Sequence, residues 1–580
     1  MSAPDLLIRD GLVFDGTGAP GRTATVVVRE GRVERITDEP VQGGPDTVEI
    51  DAAGCWVTPG FIDMHTHYDA EVEAAPALSE SLRHGVTSVV VGSCSLSLAV
   101  GTNEDLADLF CRVEAVPRDI VLPVLEQHRD WETHAEYLEH LGALPLGPNI
   151  ASFAGHSAIR AHAMGLERSL TRGLKPTADE LARMEGMVTD ALDAGYLGLS
   201  IMTLTWDKLD GDRFRSRPLP STFATWGEYW RLLREVRRRE RIFQAVPDIT
   251  TKANAVLFYL TSLGWFRKPL KTTIISLMDT RADRLIAGIV GRAASAFNAI
   301  GADFRLQALP EVFDLWADGM DVVVFEEFGA GTAALHLKDP EERARLVQDP
   351  AYRDQFRQQW TNRWLPRVFH RDFNESEILS CPDASLVGRS FSDIARERGQ
   401  DVVETFLDLV ARYGNDVRWY TVVANDRPDV LRWIVKHPAA QIGFSDAGAH
   451  LRNMAHYNFP LRLLRLVRDA EADGRPIMTL EHAIHRVTGE LAEWFGLDAG
   501  VIAPGKRADL VVLDPANLDG RVDEAHEAPM PEFGGLVRLV RRNDDLVRAV
   551  AVNGRVAVRD GQIDDAVGKE RGFGQVLRAV

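Results

Sequence analysis

Two histidines one residue apart, His65 and His67, follow the apolar run Gly60–Met64. On an extended chain, residues i and i+2 face the same side, so both imidazoles can reach one divalent ion, at about 2.0–2.1 Å for zinc. A lone pair at this spacing is usually two polar loop residues; the buried-strand composition and the Pro59-Gly60 lead-in favour ligands here. The run Thr87–Val91 leads to Gly92-Ser93-Cys94-Ser95. A Cys94 thiolate would be a strong zinc ligand, and a buried inert thiol is the equal alternative. The run Ile150–Phe153 leads to His156, with Arg160 one turn on. His156 reads as a ligand, a substrate contact or a satisfied loop residue, with substrate contact preferred. The run Gln441–Ser445 leads to Asp446, Gly448 and His450. An aspartate beside a metal can take a proton from water and pass it to a leaving group, and the alternative is a turn cap.

These residues need a scaffold that brings distant strand ends together. Apolar runs suited to buried parallel strands lie at Gly60–Met64, Thr87–Val91, Ile150–Phe153, Tyr196–Ile201, Ile242–Val246, Thr272–Leu277, Asp303–Leu309 and Gln441–Ser445. Helical stretches such as Ala178–Ala194, Trp226–Arg239 and Ala282–Ala299 separate them. Eight strands with intervening helices predict an α/β fold, a TIM-like (β/α)8 barrel with its chemistry at the C-terminal strand ends. The gap at about 311–435 exceeds one helix and predicts an insertion, with helical runs at Glu341–Thr361 and Phe391–Tyr413. Short β runs open the chain (Leu6–Ile8, Leu12–Phe14, Thr25–Arg29, Val33–Ile36) and close it (Leu510–Leu513, Val547–Val552, Arg555–Val558). The expected organisation is a small β-sandwich from residues 1–58 and 491–580, around a barrel at 59–490.

Composition narrows the partners. A net charge of −19 over 580 residues argues against a binder of phosphate backbones. No apolar run of about 18 residues appears, so no membrane partner is expected. The first residues carry Asp5, Arg9 and Asp10 and no secretory core. Four cysteines, Cys55, Cys94, Cys111 and Cys381, form no disulfide pattern, which suits a reducing, cytoplasmic setting. His128, His134 and His140 are expected to be solvated, and His482 and His485 to lie on a packed or surface helix face.

The motifs together resemble the amidohydrolase superfamily, in the D-aminoacylase (N-acyl-D-amino-acid deacylase) branch. The resemblance runs through Asp5–Gly16, Val57–Asp69, Gly85–Leu98, Gly155–Arg160, Gly195–Ser200, Gly443–His450, Arg486–Leu497 and Gly500–Asp514. It implies a TIM-like barrel with a sandwich from both chain ends, and hydrolysis of an amide C–N bond by metal-activated water. By position His65 and His67 match the HxH ligands, Cys94 the branch's cysteine ligand and Asp446 its catalytic aspartate. His156, Arg160 and His450 are the expected substrate contacts. Such enzymes act on small molecules and are often oligomeric, so a homo-oligomer is an open expectation.

The chain departs from that pattern at strands five and six, where the family carries histidines with an accompanying Arg and Lys. Here those ends read Phe243-Gln244-Ala245-Val246-Pro247-Asp248 and Ile275-Ser276-Leu277-Met278-Asp279-Thr280. Ala163–Leu335 holds no histidine. Strand four, ending near Thr203–Lys208, offers no convincing carbamylated lysine. The expected centre is therefore mononuclear: His65, His67 and Asp446, with Cys94 or Gln244 as a fourth ligand and zinc as the ion. Asp248 or Asp279 could rebuild a second site, favouring manganese or magnesium. Trp206, Phe243, Trp265 and Phe266 would suit an apolar substrate or, as aromatics more often do, a core. The leading reading is a hydrolase of an amide, N-acyl amino acid or cyclic amide. The alternatives are altered chemistry on the same barrel (lyase, decarboxylase or esterase) and a non-catalytic homologue.

Overall fold

Strands buried on both faces need apolar residues at every position, not at alternate ones. Eight such segments form the centre of the molecule, seen in a computed structural model that describes residues 4–248 and 252–579. They are β1 (Phe61–Asp63, resumed at His65–Thr66), β2 (Val86–Val91), β3 (Asn149–Ser152, resumed at Ala154–Gly155), β4 (Gly198–Met202), β5 (Ile242–Val246), β6 (Lys271–Ile275), β7 (Asp303–Ala308) and β8 (Ala440–Ile442, resumed at Phe444–Ala447). Every ladder among them is parallel. β1 pairs β2, and β2 pairs β3. The resumed part of β3 pairs β4, followed by β5, β6, β7 and β8 in order. The resumed part of β8 then pairs the resumed part of β1. The eight expected runs are all present, displaced by two residues or fewer at most ends.

Helices cover the strands where amphipathic periodicity predicts them. Ala178–Ala194 is helical over its expected length, opened by a Thr177/Glu180 capping box and closed by Gly195 in the left-handed region. The two long insertion helices are each split. Asp349 caps a second helix that starts at Pro350, and Gly399 ends Phe391–Arg398 before Asp401 caps Val402–Tyr413. These helices pack with a three-stranded antiparallel sheet, Phe313–Asp318, Arg418–Ala424 and Glu377–Ser380. Their core is aromatic: Phe373 stacks on Trp360 and Phe406 at centroid distances of 4.4 and 4.2 Å.

The two ends of the described chain meet in one nine-stranded sheet. Leu510–Leu513 runs antiparallel to Trp56–Pro59, which joins the N-terminal strands to the C-terminal ones. Leu6–Ile8 and Leu12–Phe14, expected as two runs, are one strand, Leu6–Val13, with a register break between Ile8 and Gly11. Gly11 serves a close approach there, not a turn, since a Cβ would meet Val57 Cγ2 at 2.4 Å. Residues 1–3 and 580, counted with the end segments, lie outside the described residues. The stretch from 516 to 546 contains a hairpin, His526–Met530 with Leu536–Val540, that the sequence pattern did not disclose.

Candidate metal centre

The centre is built on the resumed part of β1. Thr66 points away from it and donates to Val90 O at 2.8 Å, which leaves His65 and His67 on the opposite face. Both are buried, and their Nε2 atoms are 3.3 Å apart. Cys94 enters from the turn after β2, with its Sγ 3.3 Å from His65 Nε2. Cys94 and Ser95 both have positive φ, and side chains hold this turn: Gln244 Oε1 accepts from Cys94 N, and Ser200 Oγ from Ser95 N. Asp446, at the end of β8, places Oδ1 3.3 Å from His67 Nε2 and 3.6 Å from His65 Nε2. Gly448 lets that loop close over β1, because a Cβ would meet His67 backbone carbon at 2.6 Å.

Two polar partners fix which nitrogens face inward. His65 Nδ1 lies 2.7 Å from Gln307 Oε1, an acceptor, so Nδ1 carries the proton and Nε2 keeps its lone pair toward the centre. His67 Nδ1 lies 3.2 Å from the buried Glu114 carboxylate, which leaves Nε2 pointing the same way. Carboxylate and amide partners of this kind orient metal-ligating imidazoles. Among the described residues, His65, His67 and Cys94 form the one group of three or more His, Cys, Asp or Glu whose donor atoms lie close enough for one ion. Their 3.3 Å spacings match the edges of a tetrahedron with zinc–ligand bonds of about 2.0–2.3 Å. The donor set therefore fits a divalent ion, and neither Nε2 is committed to an outside partner.

Burial and charge set the protonation of the metal-free centre. Burial pushes His65 down to about 3 and the Cys94 thiol up to about 12. Burial also opposes a charge on His67, but Glu114 and Asp446 outweigh it and raise His67 well above its ordinary value. Burial works to raise Asp446, and the imidazoles of His67, His65 and His450 prevail, holding the carboxyl well below the usual carboxylate range. Asp63, buried beneath the centre, accepts from Ser445 Oγ and is pushed up to about 8 by burial.

The other sequence-selected residues are placed as follows. His450 stands in the field of Asp446 and His67, and its Nδ1 is buried with no partner among the described residues. Gln244 supports the Cys94 turn, and its Nε2 is likewise buried without a partner. Asp279 is held by Arg427 and Arg284, so its oxygens are engaged away from the His65–His67–Cys94 group. Asp248 is half-buried, and its backbone N–H donates to Thr203 Oγ1. His156 and Arg160, read as substrate contacts, are instead both directed to Glu228 Oε1, at 3.2 and 2.9 Å. His156 Nδ1 also meets Ser221 Oγ at 3.0 Å, so both side chains are turned into this buried cluster. Glu228→Gln would leave the buried Arg160 without a counter-ion, and we expect stability to fall by about 3–5 kcal/mol in denaturant unfolding. His134 and His140 are not solvated: His134 is buried, and His140 lies between Glu73 and Asp130 at 2.8 and 2.6 Å. Of the aromatics, Phe243 is core, while Trp265 and Phe266 face outward, away from any substrate.

Glu114 and Gln307 were missed by sequence reasoning. Glu114 is one carboxylate among 85 acidic residues, in a loop with no strand-end signal. Gln307 follows Asp303 and Arg305 as the third polar residue of β7, and only its full burial sets it apart. We expect Glu114→Gln to weaken metal affinity about 10–100-fold in a chelator competition titration, with the fold unchanged.

Parallel strands whose C-terminal ends gather His65, His67, Cys94 and Asp446 are an arrangement suited to a metal-dependent hydrolase of the α/β class. A profile of the amidohydrolase family matches residues 48–216 and 383–558, and the chain belongs to that family, an enzyme of the carbon–nitrogen hydrolase class. An uncharacterized protein of Mycobacterium tuberculosis is 49% identical across 99% of this chain and 96% of its own length. The N-acyl-D-aspartate deacylase of Alcaligenes xylosoxydans is 26% identical across 99% and 95%. The solved N-acyl-D-glutamate deacylase of Bordetella bronchiseptica, complexed with zinc and a phosphonate inhibitor, covers 100% of both chains with a TM-score of 0.65 at 23% identity, a likeness of fold. The stretch that the family profile leaves out, 217–382, contains β5, β6 and β7, two of which end without the branch's histidines.

Proposed function

We propose that the chain is a mononuclear metal-dependent hydrolase that cleaves the amide C–N bond of a small N-acyl amino acid or cyclic amide. The observation that supports this most directly is the convergence of His65 Nε2, His67 Nε2, Cys94 Sγ and Asp446 Oδ1, with His65 Nδ1 bonded to Gln307 and His67 Nδ1 3.2 Å from the Glu114 carboxylate. His65, His67 and Cys94 would hold the ion, zinc by donor type, with Asp446 beside it. A divalent ion held there would supply Lewis-acid polarisation of the scissile carbonyl and would bring the pKa of water toward about 7. Asp446 then serves as the base that takes the proton of the attacking water and as the acid that returns it to the leaving nitrogen. Its depressed pKa keeps it ionised and able to accept before bond cleavage. His450, with a free buried nitrogen beside Asp446, is the remaining donor for a substrate oxygen.

The scaffold reading follows the same lines. The ladder from β8 back to β1 supports a closed eight-stranded barrel over residues 59–490, with the insertion at about 311–435 and the shared sheet from 1–58 and 491–580 as second domain. Four free cysteines support a reducing, cytoplasmic location. The test is elemental analysis of purified protein together with hydrolysis of a panel of N-acyl-D-amino acids, hydantoins and matched esters. We expect one ion per chain and turnover of an amide. Protein without metal, or with two ions per chain, would overturn the mononuclear reading, and turnover confined to the esters would overturn the amidase.

A further inference from the structure

Exposed apolar side chains cluster on the outer helices and turns between residues 230 and 300, apart from the separately exposed Trp364 in the insertion. Phe266 is 99% exposed and Trp265 63%, side by side on the turn between helix Lys252–Ser262 and β6. Trp230, Leu260, Ile289 and Ile300, on or beside the neighbouring outer helices, are exposed too. Helices that cover a sheet ordinarily turn a polar stripe outward, so an apolar face in this position marks an interaction surface.

The same face is basic. A groove of about 820 Å³ is lined by Trp230, Leu257 and Leu260 together with Arg234, Arg237 and Arg267. Among the described residues no carboxylate pairs with these three arginines, on a chain whose net charge is −19. Arg237 donates to the carbonyls of Thr261, Leu263 and Lys268 and so fixes the turn that carries Trp265 and Phe266.

We propose that this face docks on an anionic lipid bilayer, with Trp265 and Phe266 entering the headgroup layer and Arg234 and Arg267 meeting lipid phosphates. Adjacent exposed aromatics flanked by unpaired cations suit the membrane interface and a negative leaflet. Charge complementarity disfavours a second copy of the chain: two-fold pairing would set each patch's cations against the same cations. The docking is peripheral, since no helix among the described residues is long and apolar enough to cross a membrane. This departs from the sequence expectation of no membrane partner, which rested on the lack of a long apolar run, and a surface contact of this kind carries no run-length signal. The turn carrying Trp265 and Phe266 leads into the N-terminal end of β6, whereas His65, Cys94 and Asp446 follow C-terminal strand ends. Docking therefore leaves the metal centre facing away from lipid.

Co-sedimentation of the full chain with phosphatidylglycerol-containing vesicles, against pure phosphatidylcholine vesicles, tests the proposal. We expect binding to the anionic vesicles, lost on adding salt. Partitioning should weaken about tenfold or more in the double variant Arg234→Gln/Arg267→Gln, and in Trp265→Ser/Phe266→Ser, with melting temperatures unchanged. No binding at low salt, equal binding to both vesicle types, or binding unaffected in both variants would overturn it. So would a dimer in light scattering that Trp265→Ser/Phe266→Ser converts to monomer.

Discussion

The double variant His65→Ala/His67→Ala is expected to fold, to purify without a divalent ion and to turn over substrate about 10³-fold more slowly or worse. The two Nε2 atoms are half of the converging donor set, and they are buried, so no solvent-exposed group can replace them. Cys94 and Asp446 would remain, two donors where an open catalytic zinc site uses three protein ligands. The several kcal/mol of transition-state stabilisation that a Lewis acid provides would go with the ion, at about 1.4 kcal/mol per tenfold in rate. The fold should survive, because the segment is tied through its backbone and Thr66: Met64 N donates to Gly443 O, His67 N to Ala447 O, and Thr66 Oγ1 to Val90 O. Elemental analysis, circular dichroism and single-turnover kinetics on one preparation read all three outcomes. Metal retained at the wild-type stoichiometry would place the ion elsewhere.

The parts of this centre that the sequence discloses are those whose position is set by local pattern. His65, His67, Cys94 and Asp446 each follow an apolar run, and a run buried on both faces is legible without knowing its neighbours. The parts it hides are defined by partners far along the chain. His156 has the strand-end position of a functional residue, yet its ring is turned to Glu228 from the helix Trp226–Arg238, a pairing no local pattern shows. Glu114 is the converse, a residue without a positional mark that reaches His67 from a loop. Helix periodicity through Asp349–Pro350 and Gly399 likewise continued across breaks that capping chemistry imposes. The hairpin His526–Met530/Leu536–Val540 carries Pro529 and two glycines at its turn, composition that argues against a strand. Its structure is justified by distant contacts, since Arg538 reaches Glu71 and Arg541 reaches Asp314.

Asp446→Asn separates binding of the ion from chemistry. His65, His67 and Cys94 stay in place, so we expect the variant to keep its ion while kcat falls by about 10²–10⁴, the range of a lost general acid–base group. The pH profile distinguishes this from damage to the site. In wild type Asp446 is ionised down to well below ordinary carboxylate pH, so it does not set the acid limb. His67 sets it instead: Glu114 and Asp446 raise its pKa in the metal-free protein, and a protonated imidazole cannot bind metal. As pH falls through that range protons displace the ion, and activity falls with it. Added metal should therefore move the acid limb to lower pH. In the asparagine variant His67 loses one of the two anions that raise its pKa, so protons compete less well and the metal-linked limb should move the same way, even as the rate is depressed at every pH. An acid limb indifferent to metal concentration would remove His67 from the ligand set. A variant with wild-type kcat would assign the proton transfer to another group, for which His450, in the field of Asp446, is the candidate.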